Sequence, residues 1–322
     1  MARRLMTIVM ICCLWTNAWA QEHTIAAPTK KPKVENTNTK KDNTKTSPST
    51  TTNTTAGGRR NRPATSQPTR TTTVQPPKPT VVHTARWAAD QLRKNMVRLD
   101  GGSFVMGVPS EGDAEGTEDN QPAHEVTLSP FFIGKYEVTV EEWRLIMGND
   151  PSDDAGGKNT SSSCPVDNVD WNDCQLFIAK LKELTGLPFR LPTEAEWEFA
   201  AKGGRDNTPY AGGDDIEDYG WWRTNSGRVK HPVGMKRPNG YGLYDMSGNV
   251  SEWCSDFYHE EFYAHSPSKN PVGPAEGSRY VIRGGSFFNQ KDACEVTYRS
   301  YTVPEGKNKF LGLRLACSIE ED

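Results

Sequence analysis

Cysteine and histidine are sparse in this chain: 7 and 6 residues in 322, with no Cys-x-x-Cys pair and no histidines at ligand spacing. That pattern excludes a zinc-built fold, because structural zinc needs clustered sulfur and nitrogen donors. Beyond the first two dozen residues there is no apolar run long enough to cross a bilayer. Net charge is also nearly absent, at −3 from 38 basic and 41 acidic side chains. The balance hides a split. Residues 21–85 carry about +8 and the region after them about −13, so the ordered part lacks the basic footprint of a nucleic-acid binder.

What is present at the N-terminus reads as an address. Arg3-Arg4 precede the apolar run Leu5–Trp15, and Ala18-Trp19-Ala20 offers a small-x-small cleavage site before Gln21. Residues 1–20 are therefore expected to be a signal peptide, placing the protein outside the cytoplasm, in a periplasm or cell envelope. Lipidation at Cys12 or Cys13 is the less favoured reading, because Ile11 and Cys12 are poor substitutes for the small residue expected before a lipidated cysteine. Residues 21–85 are Thr, Lys, Pro, Asn and Ser with few large apolar side chains, the composition of a disordered linker. Its positive charge suits contact with an anionic surface. Five cysteines follow, Cys164, Cys174, Cys254, Cys294 and Cys317, whose spacing assigns no pairing; an odd number leaves one thiol over if the rest pair.

From residue 86 the chain has globular patterning. Arg86–Asn95 reads as a leading helix, and the domain proper as 96–318, with 319–322 a tail. Met96–Leu99 and Ser103–Met106 alternate like strands around Asp100-Gly101-Gly102, a hairpin signal; Glu125–Leu128 and Phe131–Val138 suggest a second pair around Ser129-Pro130. Ser110–Pro122 is too acidic for core. Thr139 with Glu142 and Thr193 with Glu196 form capping boxes ahead of apolar stripes that include Trp143 and Trp197. Trp171–Leu184 has the strongest helical periodicity, stopped by Gly186. After Gly203 glycine, proline and aromatics replace periodicity.

The decisive stretch is Gly284–Cys294, GGSFFNQKDAC, where two glycines and a serine end an apolar strand and polar residues follow. With it stand Gly101–Gly107, Lys135-Tyr136-Glu137-Val138-Thr139, Phe189–Glu198 (FRLPTEAEWE), Pro238–Val250 followed by Glu252-Trp253, and Gly312-Leu313-Arg314. This set resembles the formylglycine-generating enzyme (sulfatase-modifying factor) family, over about Met96 to Cys317. The resemblance implies an α+β, C-type-lectin-like fold, loop-rich, with a small twisted antiparallel sheet and two or three helices.

It also implies chemistry, with departures. Active family members hold copper(I) between two cysteines five apart after the GGS and oxidise a sulfatase cysteine to formylglycine. Here the first position is Asn289 and only Cys294 remains. Copper(I) prefers paired thiolates, and an amide is a hard, neutral donor, so copper is not expected. The tryptophan of the family's GN-x-W-E-W motif is Ser251. Ser286 keeps the motif serine and Cys294 the single thiol as residual catalytic candidates. Iron-dependent sulfoxidation, the chemistry of other relatives, lacks its extra domain here. Calcium is better placed: Asp245, Gly248, Val250 and Glu252 match the family's calcium loop, two side-chain carboxylates and two backbone carbonyls, the oxygen donors a hard cation wants.

Asn289, Gln290, Arg299 and Tyr301 are expected to form a polar patch able to hold a peptide or glycan, with Arg299 fixing a carboxylate. The competing use of Arg283, Arg299 and Arg314 is internal pairing with the acidic excess. The expected function is that of an exported, non-catalytic member binding an envelope protein or glycan, as in secretion or gliding assemblies. The alternative is a divergent formylglycine-generating oxidase.

Overall fold

The computed structural model describes residues 82–109, 118–152, 161–205 and 207–319. The expected signal peptide, nearly all of the linker and most of the acidic loop lie outside them. The described elements run α1 (Ala85–Lys94), β1 (Met96–Leu99), β2 (Gly102–Met106), β3 (His124–Leu128), β4 (Phe131–Gly134), α2 (Val140–Met147), α3 (Trp171–Thr185), β5 (Phe189–Arg190) and α4 (Glu194–Lys202). A short α5 (Ile216–Tyr219) follows, then β6 (Ser251–Phe257), β7 (Tyr280–Arg283), β8 (Ser300–Thr302), β9 (Leu311–Gly312) and β10 (Ala316–Ser318). Helices and small sheets linked by long loops make this an α+β, loop-rich fold.

The strand pairing corrects the sequence reading. β1 pairs with β4 and β2 with β3, rather than β1 with β2 and β3 with β4. Met96 lies opposite Gly134, and the same register continues through Gly102 opposite Leu128 to Met106 opposite His124. The two halves are thus one long hairpin bent in the middle. Gly101 marks the bend, at φ +71, where a Cβ would sit 2.2 Å from the Leu128 carbonyl oxygen. The Asp-Gly-Gly signal therefore encodes a kink in a continuous arm.

The described residues form three sheets. β1-β4-β10-β5 is one, β2-β3 a second, and β8-β7-β6-β9 a third in which β9 runs parallel to β6. Helices α1, α2 and α3 cover the first sheet, with Trp143 stacked on Phe177 at 4.9 Å. Each starts at a side-chain cap: Thr84, Thr139 and Asp170, the last two with full capping boxes. Helix α4 is buried along its length, among the hairpin, β6 and β7. It packs Trp197 and Ala200 into a second core cluster with Cys254 and Val281. A helix with no exposed face must find partners for its charged side chains inside, and those partners organise the site.

Candidate functional site

Strand β7 ends at Arg283, and Gly284 and Gly285 turn the chain at φ +89 and +64. A Cβ on Gly285 would lie 2.3 Å from the Ala293 carbonyl oxygen and 2.8 Å from Cys294 Sγ, so the start and end of the loop touch there. Ser286 is fully buried. Its hydroxyl donates to Asn289 Oδ1 at 2.5 Å and accepts from the Phe288 N–H at 3.3 Å, the work of a turn-capping serine. Cys294 closes the loop from a single 3-10 turn, Lys291–Cys294.

The thiol is 0% exposed and packs with Tyr210, Ile216 and Trp222. Its nearest polar contacts are the carbonyls of Gln290 at 3.6 Å and Ser286 at 3.9 Å. Burial pushes its pKa up to about 12, so it keeps its proton at neutral pH. None of the five cysteines forms a disulfide, and Cys254 and Cys317 lie in the other core clusters. Beside the loop opens a pocket of about 190 Å³, lined by Ser251, Asn289, Tyr298, Ser300, Asn308 and Phe310 among others; Cys294 is not among its lining residues.

The expected polar patch is not one surface. Asn289 borders this pocket and Gln290 is exposed on the loop. Tyr301 and Arg299 instead border a wider groove with Asp119, Tyr258 and Glu261. Arg299 is 3% exposed and not free to hold a ligand carboxylate. Its Nε and Nη2 donate to Glu194 at 2.7 and 3.0 Å. Glu194 also accepts from Arg283 at 3.2 Å, and Arg283 donates to Glu198 at 2.5 Å. Burial raises the pKa of Glu198, but Lys202 and Arg283 outweigh it and hold the group below its usual range. Two glutamates of α4 thus clamp the arginines on either side of the Gly284–Cys294 loop. Sequence reading missed this pair; its signal was two carboxylates at i, i+4 in a helix with no room outside.

A second buried charge cluster surrounds the expected calcium loop. Glu252 is held by Arg314, at 2.7 Å from Oε1 to Nη2 and 2.9 Å from Oε2 to Nε, and accepts from Trp197 Nε1 at 2.6 Å. Glu137, also missed, accepts from the Val250 N–H at 3.0 Å and Asn249 Nδ2 at 2.7 Å. Asp245 takes a left-handed φ of 58° and accepts from the Gly234 N–H at 2.7 Å through Oδ2. Its Oδ1 is buried without a partner. Burial pushes Asp245 up to about 6; burial and then the nearby Asp245 and Glu252 raise Glu137 well above the carboxylate range. Three carboxylates gather round one guanidinium, which bonds Glu252, and burial with mutual repulsion favours the neutral forms of the other two. The orphan oxygen of Asp245 suits a hard cation, but Glu252 is engaged by Arg314 and is a poor ligand. Among the described residues, no three His, Cys, Asp or Glu side chains are arranged to hold a metal by themselves.

Residues 83–319 match the family model described as sulfatase-modifying factor enzyme 1-like domain. A formylglycine-generating enzyme of Streptomyces coelicolor is 31% identical, over 69% of this chain and 89% of its own length. A protein named serine/threonine-protein kinase pkn1 of Chlamydia pneumoniae is 34% identical over 70% of this chain but only 38% of its own length. Among solved structures, Treponema denticola variable protein 1 is similar at TM-score 0.63 and 34% identity, covering 69% of this chain and 94% of that one. PvdO from Pseudomonas aeruginosa is similar at TM-score 0.62 and 28% identity, over 70% and 94%.

Proposed function

We propose that this chain, which belongs to the sulfatase-modifying factor enzyme 1-like domain family, is an exported binding protein that does not generate formylglycine as the relatives so named do. One observation carries the reading. The only thiol of the loop is buried, protonated and outside the pocket, and the other position holds Asn289. Copper(I) would find an amide and a sequestered sulfur instead of two soft anionic donors, so the residues do not fit that ion. The pocket beside the loop has a mixed lining, polar at Ser251, Asn289 and Asn308, apolar at Phe310 and Leu311 and charged at Arg283, which suits recognition. The partner belongs to the cell envelope, the compartment to which residues 1–20 would direct the chain, with the basic segment 21–85 touching an anionic surface.

A calcium ion, in this reading, braces the loop: Asp245 Oδ1 and the carbonyls of Gly248 and Val250 would hold it, with Glu252 kept by Arg314 out of the ligand set. It would supply positive charge to an acidic interior, and no chemical step. The direct test is a copper(I) titration of the reduced protein with a Cys-x-Pro-x-Arg peptide present. No tight copper binding and no oxygen-dependent loss of peptide thiol is expected. Turnover of that peptide would establish the divergent oxidase instead.

A further inference from the structure

The groove bordered by Tyr301 is distinct from the loop pocket, with which it shares only Tyr298 and Ser300. It encloses about 1170 Å³, more than the roughly 300–1000 Å³ that takes a drug-sized molecule. One wall is the approach to β8 and the strand itself: Tyr298, Arg299, Ser300 and Tyr301 all border it. Successive side chains of an extended chain point to opposite faces, so four neighbours share a groove where it runs beside their backbone. Among the described residues β7 takes one side of β8 and no strand takes the other. The groove therefore follows the open edge of the sheet.

The facing wall is acidic. Glu260 and Glu261 come just after β6, and Asp119 just before β3. Both glutamates are exposed, and among the described residues no cation pairs with either. Asp119 accepts from the Tyr258 hydroxyl at 2.7 Å, which fixes its carboxylate at the groove. The lining holds one arginine, Arg299, whose charge is spent on Glu194. Arg279 stands outside the lining, 4.4 Å from the Tyr301 ring centre, so a ligand cation is favoured at the Glu260–Glu261 end instead. An open strand edge asks for an extended backbone, and uncompensated carboxylates across from it ask for positive charge. A polyamine or a glycan lacks the repeat of backbone donors and acceptors, and nucleic acid or anionic lipid brings the wrong sign.

We infer that this groove takes an extended basic segment of another protein, paired along β8 with its Lys or Arg side chains against Glu260 and Glu261. The inference adds a second surface to the binding reading above and stands without it, since the groove would hold such a segment whether or not the loop oxidises a thiol.

The test is fluorescence anisotropy of the full chain with a labelled peptide of alternating Lys and Val, its Gln counterpart, and two versions N-methylated on every Lys or on every Val. Binding of the Lys peptide is expected, weakening as salt rises. Glu260→Gln combined with Glu261→Gln should weaken it by roughly three- to tenfold, the effect of two exposed charge contacts. Glu125→Gln combined with Glu183→Gln makes the same change of charge at exposed positions on β3 and α3 and should leave binding unchanged. N-methylation removes a backbone donor and keeps the charge, so the version whose methyl groups face β8 should bind roughly tenfold more weakly than the other. Equal binding of the two methylated peptides would overturn the strand pairing, and equal binding of the Gln peptide would overturn the charge assignment. No binding of the Lys peptide, or equal weakening by both pairs of substitutions, would remove the site. Self-association of the full chain in sedimentation, abolished by the Glu260 and Glu261 substitutions, would give the groove to a second copy instead.

Discussion

Replacing Glu194 by Gln tests the scaffold beneath the loop. The side chain is 2% exposed and takes three hydrogen bonds from two buried arginines, Arg283 and Arg299. Gln keeps the shape but removes the charge, and its amide N–H₂ meets a donor where an acceptor stood. Glu198 still compensates Arg283, whereas Arg299 is left hydrogen-bonded to the carbonyls of Asp119 and His259. Breaking a buried pair from one side costs about 3–5 kcal/mol, because the other charge is left inside uncompensated. In a domain of this size each kcal/mol moves Tm by roughly 2–4 °C, so a fall of about 6–20 °C is expected. Urea unfolding should show a lower midpoint at unchanged slope. Arg299→Met added to Glu194→Gln should recover part of the loss, since no unpaired guanidinium then remains. Arg237→Gln, which breaks the exposed pair with Asp218, should cost less than about 1 kcal/mol. If Glu194→Gln costs no more than that control, the buried clamp does not hold the loop.

Four further outcomes follow from the same interior. Burial pushes Asp256 up to about 8, Glu142 to about 7 and Asp245 to about 6. Because these folded values exceed the unfolded ones, the folded state holds the protons more tightly. Stability should therefore decline as pH rises from about 5 to 8, by up to about 1.4 kcal/mol per pH unit per group. Thermal melts in chelator across that range check it, and a flat or rising Tm would count against it. Adding calcium at neutral pH should raise Tm, and Asp245→Asn should abolish the rise; an unchanged melt in wild type would remove the ion from the loop. Gly285→Ala should destabilise by at least about 1–3 kcal/mol, since its Cβ would press the Ala293 carbonyl and the backbone is left-handed there; a neutral result in urea unfolding would mean that the loop ends do not meet. Cys294 should resist thiol reagents in the folded protein and react on unfolding, and fast labelling of the native Cys294 would place the thiol at the pocket.

Local chemistry was legible wherever it acted within a few residues. The capping boxes at Thr139 and Thr193 and the stripe of α3 follow from spacing alone, because the partners lie within one turn. The hairpin was misjudged for a related reason: Asp100-Gly101-Gly102 signals a change of direction, and whether that change is a turn or a bend depends on β3 and β4, more than twenty residues away. Arg299 shows the other limit. Its type suggested a ligand contact, but its use was decided by Glu194, 105 positions earlier in the chain. Glu137 and Glu198 were passed over because a carboxylate reads as surface until the fold leaves it no exit.

The clamp beneath Gly284–Cys294 divides labour along the chain. Rigidity resides in residues no ligand can reach, while Phe288, Gln290 and Lys291 stand in solvent above them. Specificity can therefore be rewritten at that crown, one side chain at a time, while the architecture below goes on unaltered.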